Sequence, residues 1–217
     1  MLTKVDLLAP VKPGKIIAVG RNYPEHAQEQ QVEIPDRPLL FLKPSSSVIG
    51  PGETIYLPPQ SNQVEYEAEL AVVIGKKGRW IDIVNIDEYI LGYCIANDVT
   101  ARDIQHSDGQ WARAKGFDTF CPLGPWIETN LDPSDILITT RLNGEIRQMS
   151  STREMVFNIP QLVVYVSSIM TLEPGDVILS GTPAGVGKLN PGDVISITIE
   201  GIGELINLVA EDKRATK

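Results

Sequence analysis

Glu65, Glu67 and Glu69 recur at every second position of the stretch VEYEAELAVVIG, Val64 to Gly75. Read as a β-strand of period two, the stretch sets three carboxylates on one face and Tyr66, Ala68 and Leu70 on the other. Same-face neighbours on a strand lie about 7 Å apart, so the row needs open water or a bound cation to relieve its repulsion. The run AVVIG that follows is apolar at every position and reads as strand buried on both faces, which carries the row toward the interior. Carboxylates entering a core should be paired or should coordinate a metal. A solvated acidic face and a metal site both stand as readings of these residues alone.

Three other places could take part in the same chemistry. In RNYPEHAQEQQ, Pro24 suits the first turn of a short helix on which His26 and Glu29, three apart, share a face. Glu29 could then orient the imidazole, or the helix could be an exposed polar one with an incidental histidine. Asn97 and Asp98 end a predicted strand, where Asp98 is either a fourth carboxylate converging on the row or an ordinary cap. GTPAGVGK, Gly181 to Lys188, is glycine-rich, but position 182 is Thr where a Walker loop needs Gly, and no Ser or Thr follows Lys188. Its glycines predict close backbone approach to a ligand, with Thr182 offering a hydroxyl and amides to an anion.

The elements expected to position these residues are mostly short strands. Lys15 to Val19, Leu39 to Leu42, Glu53 to Leu57, Val64 to Gly75 and Gly92 to Ala96 read as strands, with Lys43 in the loop after the second. Ile86 to Tyr89 suggests a short helix, and HSDGQWARAKGFDTFCPLGPW a long shaped loop. Ile136 to Arg147 is a hairpin turning at Asn143-Gly144. Ser151 and Glu154 have capping-box spacing ahead of a helix whose Leu162, Val163, Val166, Ile169 and Met170 form an apolar stripe. EPGDVILS, NPGDVIS and Glu204 to Val209 complete a set of strands punctuated by Pro-Gly turns. The pattern predicts a mainly β barrel or sandwich roll with few helices rather than an alternating βαβ fold.

At 217 residues the chain is long enough to form one domain that buries roughly 70% of its unfolded surface. A net charge of -9 argues against a nucleic-acid groove or an anionic membrane as partner. Cys94 and Cys121 form no C-x-x-C pair and read as small core residues in a reducing compartment. With His26 and His106 the only histidines, zinc is disfavoured. The N-terminus lacks the apolar run of a signal peptide and no stretch approaches 18 apolar residues, so a cytoplasmic protein is expected.

GRNYPEHAQE, FLKPSS, EYEAELAVVIG, GYCIANDVTARDIQ, RAKGFDTFCPLGPW, LNGEIRQ and SGTPAGVG occur in the order seen in the fumarylacetoacetate hydrolase family, and the chain resembles that family over residues 15 to 209. The resemblance implies a mixed β-sandwich roll, a homodimer, and action on small 2-oxo acids with Mg²⁺ or Mn²⁺. It makes residues 1–14 an N-terminal extension and 15–217 a single catalytic domain with a lid segment near 21–34. It places the metal ligands on Glu67, Glu69 and Asp98, a hard oxygen set that suits those cations. It assigns water activation to His26 and Glu29, the active-site lysine to Lys115, and substrate contacts to Arg21, Gln105 and Thr182. Asp103 is expected to support the site from behind, and Glu65 to face solvent. The implied activity is hydrolysis of an acylpyruvate C–C bond or decarboxylation of oxaloacetate, with 2-hydroxyhepta-2,4-diene-1,7-dioate isomerase or oxaloacetate tautomerase as the alternative. A non-catalytic Ca²⁺-binding β module would use the glutamates but gives no reason for His26, Lys115 and the glycine-rich loop to accompany them.

Overall fold

A computed structural model describes residues 6–213; part of the expected N-terminal extension (1–5) and the last four residues (214–217) lie outside the described residues. The fold is mainly β, as the strand punctuation predicts. Seven strands form the principal sheet: β1 (Ile16–Gly20), β2 (Leu39–Lys43), β3 (Val48–Ile49), β6 (Ala68–Ile74), β7 (Ile90–Asn97), β9 (Cys121–Glu128) and β12 (Val177–Leu179), in the spatial order β2-β1-β12-β6-β7-β9-β3. A second sheet, β11-β10-β14-β15-β4, is built from β4 (Thr54–Leu57), β10 (Leu137–Leu142), β11 (Glu145–Ser151), β14 (Val194–Ile199) and β15 (Gly203–Glu211). The third is small and holds β5 (Val64–Tyr66) between β8 (Thr100–Ala101) and β13 (Gly187–Lys188). Four helices complete the described chain: α1 (Pro24–Glu29), α2 (Arg102–Ser107), α3 (Ala112–Lys115) and α4 (Ile159–Ile169), besides short 3₁₀ turns.

The core lies between the two large sheets. Val72 and Ile74 of β6 join Ile138, Ile195, Ile197 and Leu205 of the second sheet and Leu162, Val163 and Val166 of α4 in one cluster. The opposite face of the principal sheet buries Ala18, Ala71, Val73, Cys94, Cys121 and Val177 beneath Ala9, Val11 and Phe41. Every residue of β6 is therefore buried, as the apolar run AVVIG requires. Both cysteines are buried free thiols, and burial pushes each up to about 12. Among the described residues no helix is long and apolar enough to cross a membrane.

Four local readings need correction. The acidic stretch is not one strand: it breaks at Glu67 and passes from the small sheet to the principal one. The break is stable because the Glu67 amide donates to the Asn97 side chain at 3.0 Å and its carbonyl accepts from the Asp98 amide at 2.8 Å. The long loop ends earlier than expected, since CPLGPW belongs to β9 despite its prolines, and Ala112–Lys115 is a helical turn. The capping box belongs to Asn158 and Gln161, at the true start of α4, while Ser151 caps only a 3₁₀ turn. The helix expected at 86–89 is a longer 3₁₀ segment, Ile83–Glu88.

Candidate active site

The break at Glu67 builds the site. Because β6 and β7 run antiparallel with Ala68 opposite Asn97, the ends of both strands deliver Glu67, Glu69 and Asp98 to one place. One oxygen from each of the three lies within 4.8 Å of the others, and all three are buried. Asp98 does not act as a cap. The three line a pocket of about 260 Å³ together with Arg21, His26, Phe41, Arg102, Gln105, His106, Trp111, Lys115 and Thr182. Eight of the nine residues expected at the site from sequence line this pocket, and the ninth, Glu29, is bonded to His26.

Buried cations partly neutralise the acids. Lys115, at the end of α3, sets its ammonium 2.8 Å from Glu67 and 2.5 Å from Asp98, and 5.0 Å over the Phe41 ring. Lys43, closing β2, is wholly buried with its Nζ 2.7 Å from Asp98 Oδ1, 2.6 Å from the Lys115 carbonyl and 3.3 Å from that of Val99. Arg102, on the first turn of α2, bridges Glu67 and Glu65 and donates to Gln105. Glu65 is thus 7% exposed and paired with Arg102 and Gln63, not solvated. A guanidinium on the residue just past the strand end reaches it because β8 runs beside β5, with Thr100 opposite Glu65. Asp103 holds the loop before β5 through Ser61 and the Asn62 amide, away from the pocket.

The charges do not balance evenly. Burial alone would raise Glu67, but Lys115 and Arg102 outweigh it and hold its carboxyl well below the usual range. For Glu69, burial and then the like charges of Asp98 and Glu67 push the carboxyl well above its ordinary value, against the Gly181 amide that donates to it at 2.6 Å. A cluster of three hard oxygens, one of them without an ion-paired cation, fits a hard divalent cation. Because the Glu69 carboxyl is raised above its ordinary value of 4.5 in the folded chain, the folded state binds more protons than the unfolded one above that value, so stability of the metal-free protein should fall as pH rises. Glu69→Gln should remove this component, giving a metal-free protein more stable than wild type at pH 7 by a margin that narrows toward pH 4. Thermal melts across that range check it; a variant with the wild-type pH dependence would count against the assignment.

Opposite the acids stands α1. His26 is 6% exposed, and its Nδ1 lies 3.0 Å from Glu29 Oε2, so the two do share a helix face. Glu29 Oε1 accepts from the Gly185 amide at 3.0 Å, which ties α1 to the glycine-rich loop. Arg21, with φ of 61°, takes a left-handed backbone just before the helix, and Asn22 pins the turn through Phe157 and the Ser180 carbonyl. Thr182 accepts from Gln148 at 2.8 Å, while Gln148 also binds the Pro183 carbonyl and accepts from the Ala68 amide. Trp111 packs edge-on against Phe41 at 5.2 Å and closes over Gly20, where a Cβ would meet its ring at 2.9 Å.

Sequence reading passed over Lys43, Arg102, Gln148 and Tyr66. An available signal was charge arithmetic: buried acids need buried cations, and TARDIQ and FLKP hold the nearest ones.

Comparison with known proteins gives a consistent picture. Residues 15–210 match the family described as fumarylacetoacetate (FAA) hydrolase C-terminal. The mitochondrial oxaloacetate tautomerase of Rattus norvegicus is 48% identical over 95% of this chain and 70% of its own. The crystal structure of a 5-carboxymethyl-2-hydroxymuconate delta-isomerase from Mycobacterium smegmatis superposes with a TM-score of 0.91 at 53% identity, covering 97% of this chain and 84% of that one. A fumarylacetoacetate hydrolase from Exiguobacterium antarcticum superposes with a TM-score of 0.90 at 44% identity, covering 97% and 80%.

Proposed function

The chain belongs to the fumarylacetoacetate hydrolase family, an enzyme family that commonly binds a divalent metal, and from that premise we propose that it enolises small 2-oxo acids, with oxaloacetate-type tautomerisation as its principal activity. The observation that carries the reading is one pocket holding three clustered carboxylates, a lysine and a carboxylate-oriented histidine. The relatives named as an oxaloacetate tautomerase and a hydroxymuconate isomerase support proton transfer over the acylpyruvate hydrolysis and decarboxylation expected first from sequence.

Glu67, Glu69 and Asp98 would hold Mg²⁺ or Mn²⁺, which supplies Lewis-acid stabilisation of charge developing on the 2-oxo oxygen. With Nδ1–H directed at Glu29, the Nε2 of His26 is the free base of the pair. It takes the proton from the carbon beside the 2-oxo group, the electron pair moves into the new C=C bond, and the imidazolium gives that proton back to the oxygen, which regenerates the neutral base. Lys115 contributes positive charge and a hydrogen bond to that oxygen, Gln105 and Thr182 hold the substrate, and Phe41 and Trp111 keep bulk water from it. A second reading, C–C hydrolysis of an acylpyruvate, is favoured by the His26–Glu29 pair and the hydrolase neighbour. There His26 deprotonates a water that adds to the distal carbonyl; the C–C bond breaks and its electrons stay on the 2-oxo fragment.

The decisive experiment follows the ultraviolet enol band of oxaloacetate, and separately the loss of acetylpyruvate, with Mg²⁺ or Mn²⁺ and after thorough chelation. Metal-dependent enolisation of oxaloacetate is expected. Undiminished activity without metal would defeat the reading, and turnover of acetylpyruvate alone would favour hydrolysis.

Arg21 lines the pocket mouth and is positioned to take a carboxylate. Its loss should remove charge-assisted hydrogen bonds, so Arg21→Met should raise KM for oxaloacetate about ten- to a hundredfold. Equal KM values in variant and wild type would remove Arg21 from the substrate contacts. The apolar Val194, Ile206 and Leu208 exposed on β14 and β15 support assembly as a homodimer, for which a monomeric mass in solution scattering would be the contrary result.

A further inference from the structure

Gly185 has φ of 99°, and a Cβ there would lie 2.1 Å from the Arg147 carbonyl oxygen, so the position admits only glycine. Side chains from two directions use both of its backbone polar groups. Its N–H donates to Glu29 Oε1 at 3.0 Å, and its carbonyl accepts from the Tyr66 hydroxyl at 3.0 Å. The other oxygen of Glu29 faces His26 Nδ1, also at 3.0 Å. Tyr66 is 2% exposed and directly precedes Glu67, yet it does not line the pocket. Gly187 pairs with Tyr66 across β13 and β5, and a Cβ on it would sit 2.9 Å from the hydroxyl, so the loop is pressed onto the tyrosine. The start of the same loop is fixed independently, by Gly181 on Glu69 and by Gln148 on Thr182 and Pro183.

A continuous polar path therefore runs from Tyr66 through Gly185 and Glu29 to His26, joining the segment that carries Glu67 to the helix that carries the base. Without the hydroxyl, Gly185 keeps its glycine conformation but loses the contact that fixes its height above β5. We propose that Tyr66 is a positioning residue: its hydroxyl holds Gly185 so that the Gly185 amide clamps Glu29, which in turn sets the His26 ring and latches α1 over the pocket. The proposal rests on the reading of His26 as proton acceptor. It assigns Tyr66 no contact with substrate or metal.

Tyr66→Phe removes one hydroxyl and keeps the buried ring. Three measurements on the full chain decide the matter: steady-state kinetics on oxaloacetate, calorimetric titration with Mn²⁺, and hydrogen exchange of the amides of residues 25–31. The loss of one neutral hydrogen bond in the path should lower kcat roughly five- to tenfold. KM and Mn²⁺ affinity should stay at wild-type values, and the α1 amides should exchange faster. In a His26→Ala background the same change should leave the residual kcat unaltered, since no base remains to be positioned. Unchanged kcat and exchange would overturn the latch. So would a parallel loss of Mn²⁺ affinity or an equal loss of kcat in the His26→Ala background, because Tyr66 would then be a structural support of Glu67. Should the wild-type protein leave oxaloacetate untouched, the activity reading fails by itself, and the exchange comparison still decides the latch.

Discussion

The Lys43→Met protein is expected to unfold at a much lower denaturant concentration than wild type, a loss of about 3–5 kcal/mol. Lys43 is a buried ammonium that donates to the Val99 and Lys115 carbonyls and forms an ion pair with the Asp98 carboxylate. Methionine fills much of the same volume but leaves Asp98 beside Glu67 and Glu69 with one counter-charge fewer, and strands two buried carbonyls. Against a domain stability of about 5–15 kcal/mol, that is a large fraction. A divalent ion could relieve the carboxylate but not the carbonyls, so added Mg²⁺ should recover only part of the loss. Denaturant melts with and without metal test this. A midpoint equal to that of wild type would show that the ammonium is not what balances Asp98.

His26→Ala should lower kcat for enolisation by about 10²–10⁴-fold while keeping metal affinity, because the imidazole bonds to Glu29 and is not one of the three clustered acids. The stability change should be small next to that of Lys43→Met, since α1 stays attached through Asn22 and through Glu29 on Gly185. Kinetics on oxaloacetate beside a Mn²⁺ titration separate the two quantities. Full activity in the variant would remove His26 from the mechanism. A lost metal site would instead mean that the imidazole supports the acids directly.

Much of the architecture was legible in the chain. The Pro-Gly turns, the Asn143-Gly144 hairpin and the wholly apolar AVVIG run are local signals, set by backbone freedom and burial at a few consecutive residues. The alternation of Glu65, Glu67 and Glu69 likewise marked an acidic row heading inward, and the three-residue spacing of His26 and Glu29 already placed them on one helix face. The order of the sheets carried no such local mark. Neither did the strand break at Glu67, which depends on the Asn97 side chain thirty residues later in the chain satisfying the Glu67 amide.

Glu65 shows the limit most directly. From sequence it faced solvent at the start of a strand; in the folded protein it is buried on Arg102. A period-two pattern says which side a residue faces but not what stands opposite, and the opposing cations come from β2, α2 and α3. What the amino-acid sequence determined by itself was a mainly β chain with an acidic row, an oriented histidine and a glycine-rich loop. Tertiary structure decided the character of each acid in the cluster, because a buried carboxylate takes it from the charges nearest in space: Lys115 and Arg102 hold Glu67 below its usual range, whereas burial and the like charges of Asp98 and Glu67 push Glu69 above its own, which makes it the member of the three most in need of a metal.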